Sequence, residues 1–129
     1  MRQIHWVAVA LAVAGSIAGT PARADTVIDA VDFLVDGKEM VGRHVTVTGC
    51  ELSNAGDTVV FCHVRSGGHG AGDIVLDSST MRREDLRRAL RNCTEVLPKG
   101  DCPVREVSGR VGRTRGGLVV INNAKVGWQ

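Results

Sequence analysis

The sequence predicts an all-β domain with one main helix: a five-stranded Greek-key barrel whose helix falls between the third and fourth strands. Three observations predict it. Runs that alternate apolar and polar residues recur from residue 43 onward, the period of a half-buried strand. One intervening run changes to helical period, which gives the order three strands, one helix, two strands. A glycine, Gly49, interrupts the first alternating run where a barrel needs its opening strand to bend.

The chain opens on a different kind of segment. Arg2 precedes an apolar run from Ile4 to Ala18, and Ala22-Arg23-Ala24 follows as a small-x-small site. Residues 1–24 therefore read as a cleaved signal peptide, too short for a membrane span. No later apolar stretch is long enough to cross a membrane, so no transmembrane segment is expected after cleavage. The expected location is the periplasm or the exterior of a bacterium. The whole chain has 16 Lys+Arg against 14 Asp+Glu, but Arg2 and Arg23 leave with the leader, so the remaining charge is formally balanced. That balance removes any general pull toward polyanions. Phe33, Phe61 and Trp128 are the aromatic residues after the leader, and the core must rest on Val, Leu and Ile.

Residues 25–37 form an N-terminal extension, expected as a short helix over one barrel end. Asp25, Asp29, Asp32 and Asp36 share one helical face, Val27, Val31 and Leu34 the other, and Gly37 closes it. The domain proper is 38–129. Its first strand is 43–52, with Val45 and Val47 facing one way and His44, Thr46 and Thr48 the other. Cys50 and Leu52 break that parity, and a bulge at Gly49 restores it. The second strand is 57–65, with Val60, Cys62 and Val64 on one face and Phe61, His63 and Arg65 on the other. The stretch 66–72 reads as a flexible glycine-rich loop, and 73–77 as a short third strand. In the helix, Leu86, Ala89, Leu90 and Cys93 make an apolar stripe. Ser79 or Thr80 can cap it, and Glu84 and Asp85 suit its N-terminal end. Pro98 and Gly100 mark its break. Strands at 104–112 and 118–126 follow, joined by a turn at 113–117.

Four cysteines, Cys50, Cys62, Cys93 and Cys102, lie beyond the leader. An even number in an exported domain reads as two disulfides, with three connectivities possible. The local one, Cys50–Cys62 and Cys93–Cys102, is expected. If Ala55-Gly56-Asp57 forms a three-residue hairpin loop closed by Asn54 and Thr58, Cys50 lies directly opposite Cys62. No Cys-x-x-Cys spacing is present for zinc or thiol exchange, and neither a metal nor a cofactor is expected.

This order, with its bent and glycine-broken first strand, is the layout of an OB-fold. Val41-Gly42-Arg43-His44-Val45-Thr46-Val47-Thr48-Gly49 and Val107-Ser108-Gly109-Arg110-Val111 look like OB strand segments. Over residues 38 to 128 the chain resembles small bacterial exported OB-fold proteins, related in fold to the nucleic-acid-binding OB superfamily. The resemblance implies a fold and a usual binding face along strands two and three, not an activity.

On that face the candidate ligand-binding residues are His44, Thr46, Phe61, His63 and Arg65, with Val75 nearby. A ring, a cation and hydroxyls suit a protein partner or a small polar ligand met in the envelope. Few aromatic rings and balanced charge speak against nucleic acid as a partner. A second candidate surface is the basic helix, Arg83, Arg87, Arg88 and Arg91, facing anionic lipid or an acidic protein. The plainer reading of that helix is a solvated face tied by Glu84–Arg87, Glu84–Arg88 and Asp85–Arg88. No catalytic signature is present: neither Gly-x-Ser-x-Gly nor a phosphate loop occurs. The chain is therefore expected to be a non-enzymatic binding module, with an enzyme accessory or hydrolase as the rival reading.

Overall fold

The computed structural model describes residues 26–54, 58–93 and 102–129. The signal peptide expected at 1–24, the hairpin loop at Ala55-Gly56-Asp57 and the helix break at Pro98 and Gly100 lie outside the described residues. The elements run β1 (Thr26–Asp29), α1 (Ala30–Asp36), a 3-10 turn (Gly37–Met40), β2 (His44–Thr48), β3 (Cys50–Asn54), β4 (Val60–Ser66), β5 (His69–Leu76), α2 (Arg83–Asn92), β6 (Cys102–Arg115) and β7 (Leu118–Trp128).

β2 and β3 are two halves of one ribbon. Gly49 stands between them at φ +83°, a conformation glycine adopts without steric cost. The break keeps Val45 and Val47 inward before it and Cys50 and Leu52 inward after it. Both halves pair antiparallel with β6, β3 pairs with β4, and β4 with β5. β5 meets β7 in parallel and β6 meets β7 antiparallel, which closes five ribbons into a barrel with no free edge in the ring. This is an OB-like fold, mostly β with two short helices, and α2 sits between the third and fourth ribbons as expected. The core is aliphatic: Val45, Val47, Leu52, Val60, Val64, Ile74, Leu76, Val107 and Ile121 are all buried.

Residues 25–37 divide differently from the all-helical expectation. Thr26–Asp29 is a strand lying parallel to β2, and the helix starts only at Ala30, where the Asp29 carboxylate accepts from the Val31 N–H at 2.8 Å. The late start changes which side chains face inward. Ala30 and Phe33 are fully buried, while Val27 is 69% exposed. Phe33 plugs the barrel end, close to Gly37 and Val119.

The 66–72 stretch is a hairpin end rather than a loop. Gly67 and Gly68, at φ +59° and +82°, make a two-residue turn that matches strand twist, so β5 starts at His69. Gly116 and Gly117 repeat the device between β6 and β7. The helix cap also differs. The residue preceding α2 is Arg82, with no side-chain cap. Ser79 and Thr80 instead donate their hydroxyls to Asp77, at 2.9 Å and 3.0 Å. Thr80 Oγ1 in turn accepts from the Asn123 N–H at 2.9 Å, tying this loop to β7.

Cys50–Cys62 and Cys93–Cys102 are both disulfide-bonded, with Cα–Cα separations of 5.4 Å each. The connectivity is the expected one, but the register is not. Asn54 pairs with Val60, so Cys50 lies opposite Val64, and Cys62 opposite Leu52. The connection is five residues long rather than three, and the first bridge runs diagonally between neighbouring inward positions. The second ties the end of α2 to the first residue of β6. Among the described residues, no helix is long and apolar enough to cross a membrane.

Candidate binding face

The outward face of β3, β4 and β5 carries two cross-strand rows. Ser53, Phe61 and Val75 stand side by side in one; Glu51, His63 and Asp73 stand side by side in the next. Such in-register neighbours are the contact unit of a sheet face. Ser53 is buried, and beside it the half-buried Phe61 and Val75 make an apolar shelf. The second row is polar. His63 Nδ1 lies 2.7 Å from Asp73 Oδ1, with side chains 27% and 41% exposed. When the imidazole is neutral, Nδ1 must carry the proton to donate to the carboxylate, and Nε2 is then an acceptor. A Cβ on Gly70 would stand 3.4 Å from His63 Cε1, so the ring lies beside the open backbone of β5.

Arg65, one step further along β4, turns back to Glu51, Nε to Oε2 at 3.8 Å. Both side chains are solvated, so the pair orders the surface more than it stabilises the barrel. The face therefore offers a ring, an acceptor nitrogen, a guanidinium and two carboxylates over three adjacent strands.

The structure brings Phe61, His63 and Arg65 together and sets His44 and Thr46 apart. β4 pairs with β3, beyond the Gly49 bend, whereas β2 lies between β1 and β6. His44 is exposed across from Arg110. Thr46, between Val27 and Ser108, is 8% exposed and offers little surface. Glu51 and Asp73 complete the face in their place, and sequence reasoning did not count them among the site residues.

The α2 arginines are arranged differently from a salt-bridged face. Arg82, not Arg87 or Arg88, takes the acids, at 3.9 Å from Glu84 and 3.3 Å from Asp85. Asp85 is buried and accepts from the Val126 N–H and the Trp128 indole, both at 3.0 Å. With its oxygens turned to β7 and Arg82, it does not form the Asp85–Arg88 pair that spacing predicts. Arg88 lies 4.3 Å over the Trp128 ring, a cation–π contact. Arg83, Arg87 and Arg91 remain as an exposed row.

An open groove of about 400 Å³ lies elsewhere, between Val41-Gly42 and the β6–β7 hairpin at Gly112, Arg113, Arg115 and Asn122. Arg115 on its rim is turned toward Asp77, Nη2 to Oδ1 at 3.5 Å. Burial pushes the Asp77 carboxyl up, but hydrogen bonds from Ser79 and Thr80 and the Arg115 charge outweigh it. They hold Asp77 below the usual carboxylate range. Among the described residues, no cluster of three or more His, Cys, Asp or Glu could hold a metal ion.

No protein-family model matches this chain, and no curated protein sequence does. Solved structures similar to it include two of asparaginyl-tRNA synthetase from Pyrococcus horikoshii. One matches at 18% identity and a TM-score of 0.46, over 77% of this chain and 22% of that one. The other, complexed with asparaginyl-adenylate, matches at 20% identity and 0.42, over 69% and 20%. This chain thus spans about a fifth of the synthetase. A similarity at this level concerns fold alone, and the OB-like assignment above rests on the strand order. One expectation is nevertheless corrected. Ring count and balanced charge speak against nucleic acid as a partner, yet these two matches belong to an enzyme named for tRNA. That exclusion is withdrawn, and the likeness assigns no partner to this chain.

Proposed function

We propose that this chain is a small exported binding module, non-enzymatic, that recognises a protein partner or small polar ligand on the β3–β4–β5 face. The carrying observation is the row Glu51–His63–Asp73 beside the half-buried Phe61. Asp73 holds the imidazole, so Nε2 is oriented before any ligand arrives, which cuts the ordering cost of binding. Phe61 and Val75 supply an apolar shelf next to it. The mixed signs of Glu51, Arg65 and Asp73 fit a ligand that carries both donors and acceptors, as a peptide segment does. Export is supported by the leader-like residues 1–24 and by two disulfides, which persist in oxidising compartments.

The test is a screen of peptide and glycan arrays with the wild-type chain and the Phe61→Ala/His63→Ala variant. Ligands captured by the wild type should be lost by the variant, while the melting temperature changes little. Capture that survives the double substitution removes the face from the account. A parallel collapse of stability would mean that Phe61 serves the barrel and not a ligand.

A further inference from the structure

The two helices close opposite ends of the barrel. α1 sits where β4 ends and β7 begins: Leu34 lies against Gly72, and Phe33 near Gly37 and Val119. α2 sits where β3 and β7 end: Asn54 Nδ2 donates to the Leu90 carbonyl, and the Asp85 carboxylate accepts from Val126 and Trp128. The outward faces of these helices carry opposite charge.

On α1, Asp32, Val35 and Asp36 fall at i, i+3 and i+4 and share one exposed face; Val35 is 73% exposed. On α2, Arg83, Arg87 and Arg91 fall at i, i+4 and i+8, and the half-buried Leu86 and Leu90 run beside them. Among the described residues, no ion pair engages Asp32 or Asp36, nor Arg83, Arg87 or Arg91. Like charges one helical turn apart repel, so each face is unfavourable to itself and is relieved by the opposite sign. An acid–valine–acid face at one end and an arginine–leucine face at the other are complementary in both charge and apolar content.

We infer that this chain associates head to tail with further copies of itself, the α1 face of one copy on the α2 face of the next. Such a contact joins two different surfaces, so it does not stop at a dimer. It propagates into open chains, or closes into a ring if the rotation allows. Its charged component is screened by salt. The inference does not depend on the β3–β4–β5 face, which lies along the barrel wall and stays open in such a chain.

Sedimentation velocity on the purified chain tests this. At low salt (about 20 mM, where the screening length is long) the average mass should rise with concentration, and it should fall back to one chain in about 0.5 M salt. Asp32→Lys/Asp36→Lys makes both ends basic, and Arg83→Glu/Arg87→Glu makes both ends acidic. Each variant alone should remain single. An equimolar mixture should regain association as an alternating chain. Should a reversal unfold the protein by circular dichroism, the neutral pair Asp36→Asn and Arg87→Gln reads the same loss. A wild-type chain that stays single at low salt overturns the inference, as does association that survives both reversals or a mixture that stays dissociated. Phosphatidylglycerol vesicles serve as the competing arm. A single wild-type chain that binds them, with binding lost in Arg83→Glu/Arg87→Glu, assigns the basic end to lipid and likewise overturns self-association.

Discussion

The Trp128 indole donates to Asp85 Oδ1 at 3.0 Å, so the last strand is fastened to α2 through a buried carboxylate. Asp85 also accepts from the Val126 N–H on its other oxygen. Truncation by Asp85→Ala leaves two donors without a partner, and an orphaned buried donor costs roughly 1–3 kcal/mol. Urea unfolding should show a loss of about 2 kcal/mol or more. Arg88→Ala removes only the solvated contact over the ring and should cost about 0.5–1 kcal/mol. Equal effects of the two substitutions would contradict this division of roles.

Asp77 gives a pH dependence with a definite sign. Its pKa is lower in the folded chain than in the unfolded one, where it keeps the ordinary carboxylate value of 3.8. The stabilisation is therefore complete above the unfolded value and is lost as pH falls through the lower folded value. Wild-type unfolding free energy should decline from about pH 4 downward, and Asp77→Asn should flatten that decline. Equilibrium unfolding at a series of acid pH values checks it; identical slopes for the two proteins would count against the Asp77 loop as the source.

Two glycines of β6 should respond unequally to alanine. A Cβ at Gly109 would fall 2.5 Å from the Asn122 backbone oxygen and 2.6 Å from Ile121 Cγ2, and neither can move without shifting β7. A Cβ at Gly112 meets Asn122 Nδ2 at 2.5 Å, the end of a side chain that can rotate. Gly109→Ala should cost about 1–3 kcal/mol, in line with overpacking a filled interior, and Gly112→Ala clearly less. Thermal unfolding of both variants decides the order.

The barrel was legible in the sequence because its ribbons alternate cleanly and Gly49 announces the bend. Disulfide connectivity was legible too, since Cys50 and Cys62 share the inward face of adjoining strands. Their register was not: nothing in 55–59 fixes whether three or five residues make the connection. The candidate face was half legible. Phe61, His63 and Arg65 share parity on one strand, which sequence shows directly. Their partner Asp73 depends on a shift between Val64 and Arg65. Counting back from a Gly67-Gly68 turn alone puts Gly72 opposite His63, and the one residue inserted at Ala71 moves Asp73 into place. Thr46 was misplaced because β1 lies against β2, and a parallel pairing of two separated segments leaves no local trace. Phe33 was missed because the capping Asp29 resets the helical phase.

Each sulfur bridge brackets a short stretch of backbone. A protease that cuts once between Cys50 and Cys62, or once between Cys93 and Cys102, leaves both fragments covalently joined. The clipped molecule migrates at full mass on a gel until a reductant is added, and only then separates. In a compartment rich in peptidases, such a chain can be severed and still be one object.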